Sequence, residues 1–169
     1  MGLFMPAVVV IALDQVTKHL FWRNGQNYEI IPGYFNITLV KNAGAAFGMF
    51  QGARVFFVVA SLVAVVLIVY LGLRVPREQR WRRFLLGLIL GGAVGNLIDR
   101  VASGQVIDFV QIGVAGHYWP VFNVADAGVT VGAAFLILYA LRARRPLAVA
   151  PPSAAEEIHA PGADDSVPQ

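Results

Sequence analysis

No cysteine occurs among the 169 residues, which removes disulfide frameworks, thiolate nucleophiles and thiolate metal sites together. Histidine is nearly as scarce. His19, His117 and His159 are scattered without zinc-ligand spacing, so no metal and no cofactor are expected. Neither a Ser–His nor a Ser–Lys arrangement is evident. Charge is sparse too: 14% of the residues are charged and the formal net charge is +3. The basic residues flank apolar runs, so they read as topology signals, and no nucleic-acid partner is expected.

What the chain has instead is apolar length. Hydrophobic residues make up 57%, and they fall in long runs rather than at helical or strand periodicity. The reading is an integral membrane protein. Runs over residues 3–22, 55–73, 84–101 and 121–141 are about long enough to cross a bilayer as helices. The expected fold class is therefore all-α, with four transmembrane helices and a small extracytoplasmic β-sheet between helices one and two. The first run lacks a basic leader and an Ala-x-Ala-like site, so a removable signal peptide is not expected.

Residues 26–51 differ in kind. Tyr34 to Val40 is β-rich and partly alternating, and Tyr28 to Ile31 can pair with it across Pro32-Gly33. The small-residue run from Lys41 to Gly48 reads either as a re-entry loop or as backbone that approaches a ligand closely. Gly87, Gly91 and Gly95 form a ridge without side chains, which admits a neighbouring helix. Gly128 and Gly132 form a second packing pair, and Pro120 suits the first turn of the fourth helix. Residues 1–146 read as one membrane domain. Residues 147–169, rich in Pro, Ala and acid, read as a disordered cytoplasmic tail.

Arginine sets the orientation. Arg74, Arg77, Arg80, Arg82 and Arg83 stand against Glu78 alone between the second and third runs, and Arg142, Arg144 and Arg145 follow the fourth. Both clusters indicate the cytoplasm. Both termini then lie inside, while the sheet and a loop carrying Asp108 lie outside.

The polar residues of the spans gather at that outer boundary. Asp126 sits in the fourth run with no Lys, Arg or His three or four residues away, and Asp108 also lacks a local cation. An intramembrane carboxylate is costly and points to function. Asp14 and Lys18 are spaced i,i+4, either as a self-compensating pair or facing a polar cavity. Asn96 and Arg100 share a helix face, whereas Asp99 is read as pointing elsewhere; interfacial anchoring is the plainer role for Arg100. Two carboxylates without local cations, surrounded by amides, point to an acid–base pair sharing a proton, which is aspartic-type peptide hydrolysis.

Five blocks extend this. They are Leu13-Asp14-Gln15-Val16-Thr17-Lys18, Asn42 to Phe47, Gly91 to Arg100, Val106-Ile107-Asp108-Phe109 and Phe122-Asn123-Val124-Ala125-Asp126. In order and approximate spacing they resemble the motif blocks of the lipoprotein signal peptidases (signal peptidase II). The resemblance covers about residues 3 to 145. It implies a bacterial inner-membrane aspartic endopeptidase that removes the signal peptide from diacylglyceryl-modified prolipoproteins, cutting on the amino side of the lipidated cysteine. By the same resemblance Asp108 and Asp126 are the catalytic pair. Asn96, Arg100, Asn123 and Ala125 shape and polarise the site, and Asp14, Lys18, Asn42 and Gly44 are supporting or substrate-contacting positions. The expected partners are prolipoprotein substrates and membrane lipid, with the chain acting as a monomer. Two other classes remain open from composition alone: a small transporter using the acids as a relay, and a non-catalytic lipid-binding module. Against a relay, the second run has no polar residue but Ser61 and Tyr70, and the inner half of the fourth has only Tyr139.

Overall fold

The computed structural model describes residues 2–44 and 53–143. The small-residue run from position 45 onward, and the tail expected from 147, lie outside the described residues. The elements run α1 (Phe4–Asn24), β1 (Tyr28–Ile31), β2 (Phe35–Asn42), α2 (Arg54–Arg74), α3 (Arg80–Ala102), β3 (Val106–Val114), β4 (His117–Tyr118) and α4 (Val124–Ala143). All four helices are long and apolar enough to cross a membrane. The protein is a multi-pass membrane protein with a small antiparallel sheet at one end of a helical bundle.

Buried small residues hold the helices together. Apolar area gives little drive between helices in lipid, so close backbone approach takes its place. The α3 glycine ridge meets α1: a Cβ on Gly91 would stand 2.7 Å from the Ala7 carbonyl oxygen, and one on Gly87 would meet the Leu3 carbonyl. On another face, Gly92 abuts the Ala125 carbonyl of α4, while Gly132 of α4 rests against the Leu85 carbonyl of α3. Helix α3 is therefore the hub, with α1, α2 and α4 each packed on it. The most exposed of these is α2, where Gly72 is the single buried residue and Val55 is 76% exposed; its apolar surface faces lipid. Gly91→Val would force α1 away from α3. The expected result is a loss of about 1–3 kcal/mol, read as a lower thermal midpoint in detergent; an unchanged midpoint would mean that the ridge does not set the helix spacing.

The sheet has the order β1-β2-β3-β4. At the Ile31-Pro32-Gly33-Tyr34 turn, Tyr34 N–H donates to the Ile31 carbonyl at 2.9 Å and Gly33 has φ 78, which suits a type II turn. Two features correct the sequence reading. Residues 106–114 are a strand rather than a loop: β3 pairs antiparallel with β2, so that Val40 faces Asp108 and Asn42 faces Val106. The cause lies in its β-branched run and a β2 edge that needs a partner. Helix α4 also begins at Val124, not at residue 121, so Pro120 lies outside it. The segment before it is extended, with Phe122 bridging Val110.

Candidate active site

Two short pieces of backbone bring the acids together. Phe109 and Val110 of β3 both donate N–H groups to the Phe122 carbonyl, at 3.1 and 2.8 Å, and Phe122 N–H returns to the Val110 carbonyl at 2.9 Å. This staples the strand carrying Asp108 to the start of α4. There, Asn123 caps the helix. Its Oδ1 accepts the Asp126 N–H at 2.9 Å, and Asp126 Oδ2 accepts the Asn123 N–H at 3.2 Å. The pair is a reciprocal capping box. Asp126 is thus the third helical residue, in the first turn of α4.

Amides connect the two carboxylates. Asn123 Nδ2 donates to Asp108 Oδ1 at 2.7 Å and lies 3.1 Å from Asn96 Oδ1. Asn96 Nδ2 donates to Asp126 Oδ1 at 2.7 Å. Asn42, at the end of β2, donates to Asp108 Oδ2 at 3.1 Å, and its own Oδ1 accepts the Gly44 N–H at 3.0 Å. Each carboxylate therefore holds one amide N–H donor from α3 or β2, and Asn123 touches both.

Behind this layer lies Lys18, 2% exposed. It forms salt bridges to Asp14 at 2.7 Å and Asp99 at 2.8 Å and donates to Asn96 Oδ1 at 3.0 Å. Among the described residues these are the salt bridges, and neither reaches Asp108 or Asp126. Asp99 does not point away, as the sequence reading had it. It is i,i+3 from Asn96, so both reach the same lysine.

Asn42, Gly44, Asn96, Arg100, Asp108 and Asp126 line one cavity of about 580 Å³, with an apolar wall from Ile112, Trp119, Pro120, Val121, Phe122 and Val131. Asn96, Arg100, Asp126 and Thr130 also line a second cavity of about 380 Å³, between α2, α3 and α4. Asp126 is thus reached from two sides, whereas Asp108 lines the first cavity alone. Arg100 faces both cavities, with its guanidinium 5.3 Å from the Phe57 ring. Asn123, Asp14 and Lys18 are buried beneath the site. Ala125 is also buried; it lies against Gly95 of α3 and outside the cavity lining. Burial pushes the Asp108 carboxyl up from 3.8 to about 6, and the charge of Asp126 adds to it. The Asn42 and Asn123 hydrogen bonds and the Lys18 charge act in the opposite direction.

Gln15 and Asp99 complete this cluster. Gln15 Nε2 lies 3.2 Å from Asp14 Oδ2 and 3.1 Å from Asp99 Oδ1. Asp99 was seen but placed on the wrong face. The spacing Asn96-x-x-Asp99 was the available signal. No local pattern indicates Gln15, which is next to Asp14 in sequence and meets α3 only in the folded bundle.

A helical bundle in the membrane, with a small sheet holding a carboxylate over a second one at a helix start, is the architecture of a membrane-embedded enzyme. Two solved bacterial membrane enzymes share it. One aligns with a TM-score of 0.76 at 34% identity, over 82% of this chain and 86% of that one. The other gives 0.72 at 36% identity, over 81% and 90%. The family profile of signal peptidase (SPase) II matches residues 6–142. The lipoprotein signal peptidase of Symbiobacterium thermophilum is 46% identical over 143 residues, 82% of this chain and 93% of that protein. The lipoprotein signal peptidase of Listeria monocytogenes is 40% identical over 139 residues, 80% and 90%. That of Staphylococcus aureus is 34% identical over 139 residues, 80% and 85%. The chain belongs to the signal peptidase II family and is a protease.

Proposed function

We propose that this protein is an aspartic endopeptidase that removes signal peptides from diacylglyceryl-modified prolipoproteins, with Asp108 and Asp126 as the catalytic pair. The observation that carries the reading is the cavity in which both carboxylates meet amide donors and, among the described residues, neither forms a salt bridge. Such a pair works by sharing one proton. The ionised carboxylate takes a proton from water as its oxygen adds to the scissile carbonyl carbon. The protonated one donates to the carbonyl oxygen, and the resulting tetrahedral species collapses when a proton reaches the departing amine of the cysteine. Arg100, facing the cavity, fits the role of polarising that carbonyl.

The substrate chemistry agrees with the shape. A lipidated prolipoprotein carries two apolar arms at the cysteine, the signal helix and the acyl chains. Two cavities that share Asp126 fit a substrate held from both sides. The arginine-rich end would be cytoplasmic and the sheet extracytoplasmic, with both termini inside and the cleavage at the outer face of the bacterial cytoplasmic membrane. The chain would act as a monomer.

The test is purified protein in detergent with a chelator present, mixed with a prolipoprotein with and without the diacylglyceryl group. Cleavage of the lipidated form, read by gel shift, is expected. Equal cutting of the bare form would remove lipid recognition. No cutting of either would favour a transporter or a binding module. The same assay reads proton sharing. With Asp126 ionised, Asp108 loses its proton at about 6, so the singly protonated pair is populated below that pH and emptied above it. The alkaline limb of kcat/KM is therefore expected near pH 6, falling by about tenfold per unit beyond it. A profile that climbs through pH 6 would assign activity to the doubly ionised pair.

A further inference from the structure

Three buried charges stand beneath the acid pair without touching it. A lysine ammonium has three N–H donors, and Lys18 spends them on Asp14, Asp99 and Asn96. The informative contacts are those that the two carboxylates make with backbone beside the lysine. Asp14 Oδ1 accepts the backbone N–H of Ala125 at 2.9 Å, the residue before Asp126. Asp99 Oδ2 accepts the backbone N–H of Ile107 at 3.3 Å, the residue before Asp108. Each acid of the site is thus preceded by a residue whose backbone is pinned by a buried carboxylate, and both carboxylates answer to one lysine. Gln15 ties them together a second time and reaches the Gly95 carbonyl at 3.2 Å as well.

We propose that Asp99 is a positioning residue for the peptidase reaction. With Asp14, and joined to it through Lys18, it forms one clamp that sets Asp108 relative to Asp126. The inference rests on the reading of those two acids as the reacting groups. Physically, Asp108 belongs to a strand at the end of the bundle and Asp126 to a helix start, so their separation needs a common reference. A buried ion cluster is an inefficient way to stabilise a fold, because apolar residues of similar volume often do as well. It is an efficient way to impose one geometry, since its partners have fixed distances and directions. The clamp also orients Asn96: with its Oδ1 held by Lys18, its Nδ2 must turn toward Asp126. Misplacing a reacting group by about 1 Å costs on the order of a hundredfold in rate.

Asp99→Asn keeps the size of the side chain but sets an NH2 group against either Ile107 N–H or Gln15. In the detergent cleavage assay kcat is expected to fall by about thirtyfold with KM within about twofold. Asp14→Asn is expected to behave alike. The double variant should lose no more than about threefold beyond the worse single, because one clamp can be broken only once. A kcat within threefold of wild type for Asp99→Asn, or losses that multiply, would overturn the clamp. If Asp99→Asn does not fold, Gln15→Met keeps both salt bridges and removes a donor from each carboxylate. A kcat loss of threefold or more at unchanged KM then supports the clamp, and an unchanged kcat overturns it. Absence of cleavage by the wild-type protein would instead refute the peptidase reading itself.

Discussion

Asp126→Asn is expected to lower the cleavage rate by about a thousandfold, and Asp108→Asn by a similar factor, the usual scale for loss of a general acid or base. The two substitutions are nearly isosteric, so loss of shape is not the cause. What changes is hydrogen-bond polarity. Asp126 accepts on both oxygens, from Asn96 Nδ2 and from the Asn123 backbone. An amide there turns one acceptor into a donor facing a donor. At Asp108 the same conflict arises with Asn42 or Asn123. Asn42 cannot simply reverse its amide, because its oxygen already holds the Gly44 N–H. The structural cost of one such conflict is about 1–3 kcal/mol, small enough for the variants to remain inserted and folded. Each variant is assayed by gel shift on lipidated prolipoprotein, with helical content checked by circular dichroism. The double variant should be about as inactive as either single, since the pair acts as a unit. Near-normal cleavage by a folded variant would remove that residue from the chemistry.

The second large effect is on stability. Lys18→Met leaves Asp14 and Asp99 buried without their cation, and Asn96 Oδ1 without one of its donors. Removing one partner of a buried pair costs about 3–5 kcal/mol, because the remaining charge stays desolvated. The thermal midpoint in detergent should fall by on the order of 10 °C. Lys18→Arg is expected to recover only part of this: the planar guanidinium is too wide to serve three acceptors arranged around an ammonium. A midpoint for Lys18→Met close to wild type would show that water or lipid headgroups compensate the two carboxylates.

Much of this was legible in the chain. The apolar runs located all four helices, because nothing except a membrane demands so many consecutive uncharged residues. The acids were legible by what they lack: neither Asp108 nor Asp126 has a cation at helical spacing, and among the described residues neither forms a salt bridge. The five blocks that resemble signal peptidase II agreed with the family match. The misses share a physical cause, which is that tertiary partners decide element ends. Val121 to Asn123 is apolar enough to be helix, yet Phe122 is taken by β3 and Asn123 by the cap. Helix α3 begins at Arg80 inside the expected loop. Residues 106–114 read as a loop because their partner strand is some seventy positions away, as in the pairing of Asn36 with Gln111. Ala125 looked like a wall of the site and is instead a backbone anchor behind it.

The distribution of buried polar bonds divides the molecule into a frame and a door. Every bond around Lys18, Asn96 and the two site acids joins α1, α3, α4 and the sheet. Among the described residues, α2 is held to the rest by apolar contact along α3, by Gly72 against Leu3, by the Phe57 ring beneath the Arg100 guanidinium, and by Arg54 gripping the carbonyls of Arg100 and Val101. A guest arriving sideways through the bilayer would therefore meet the fewest polar bonds at α2. The enzyme would open at its loosest seam and keep its tolerances where bonds are broken.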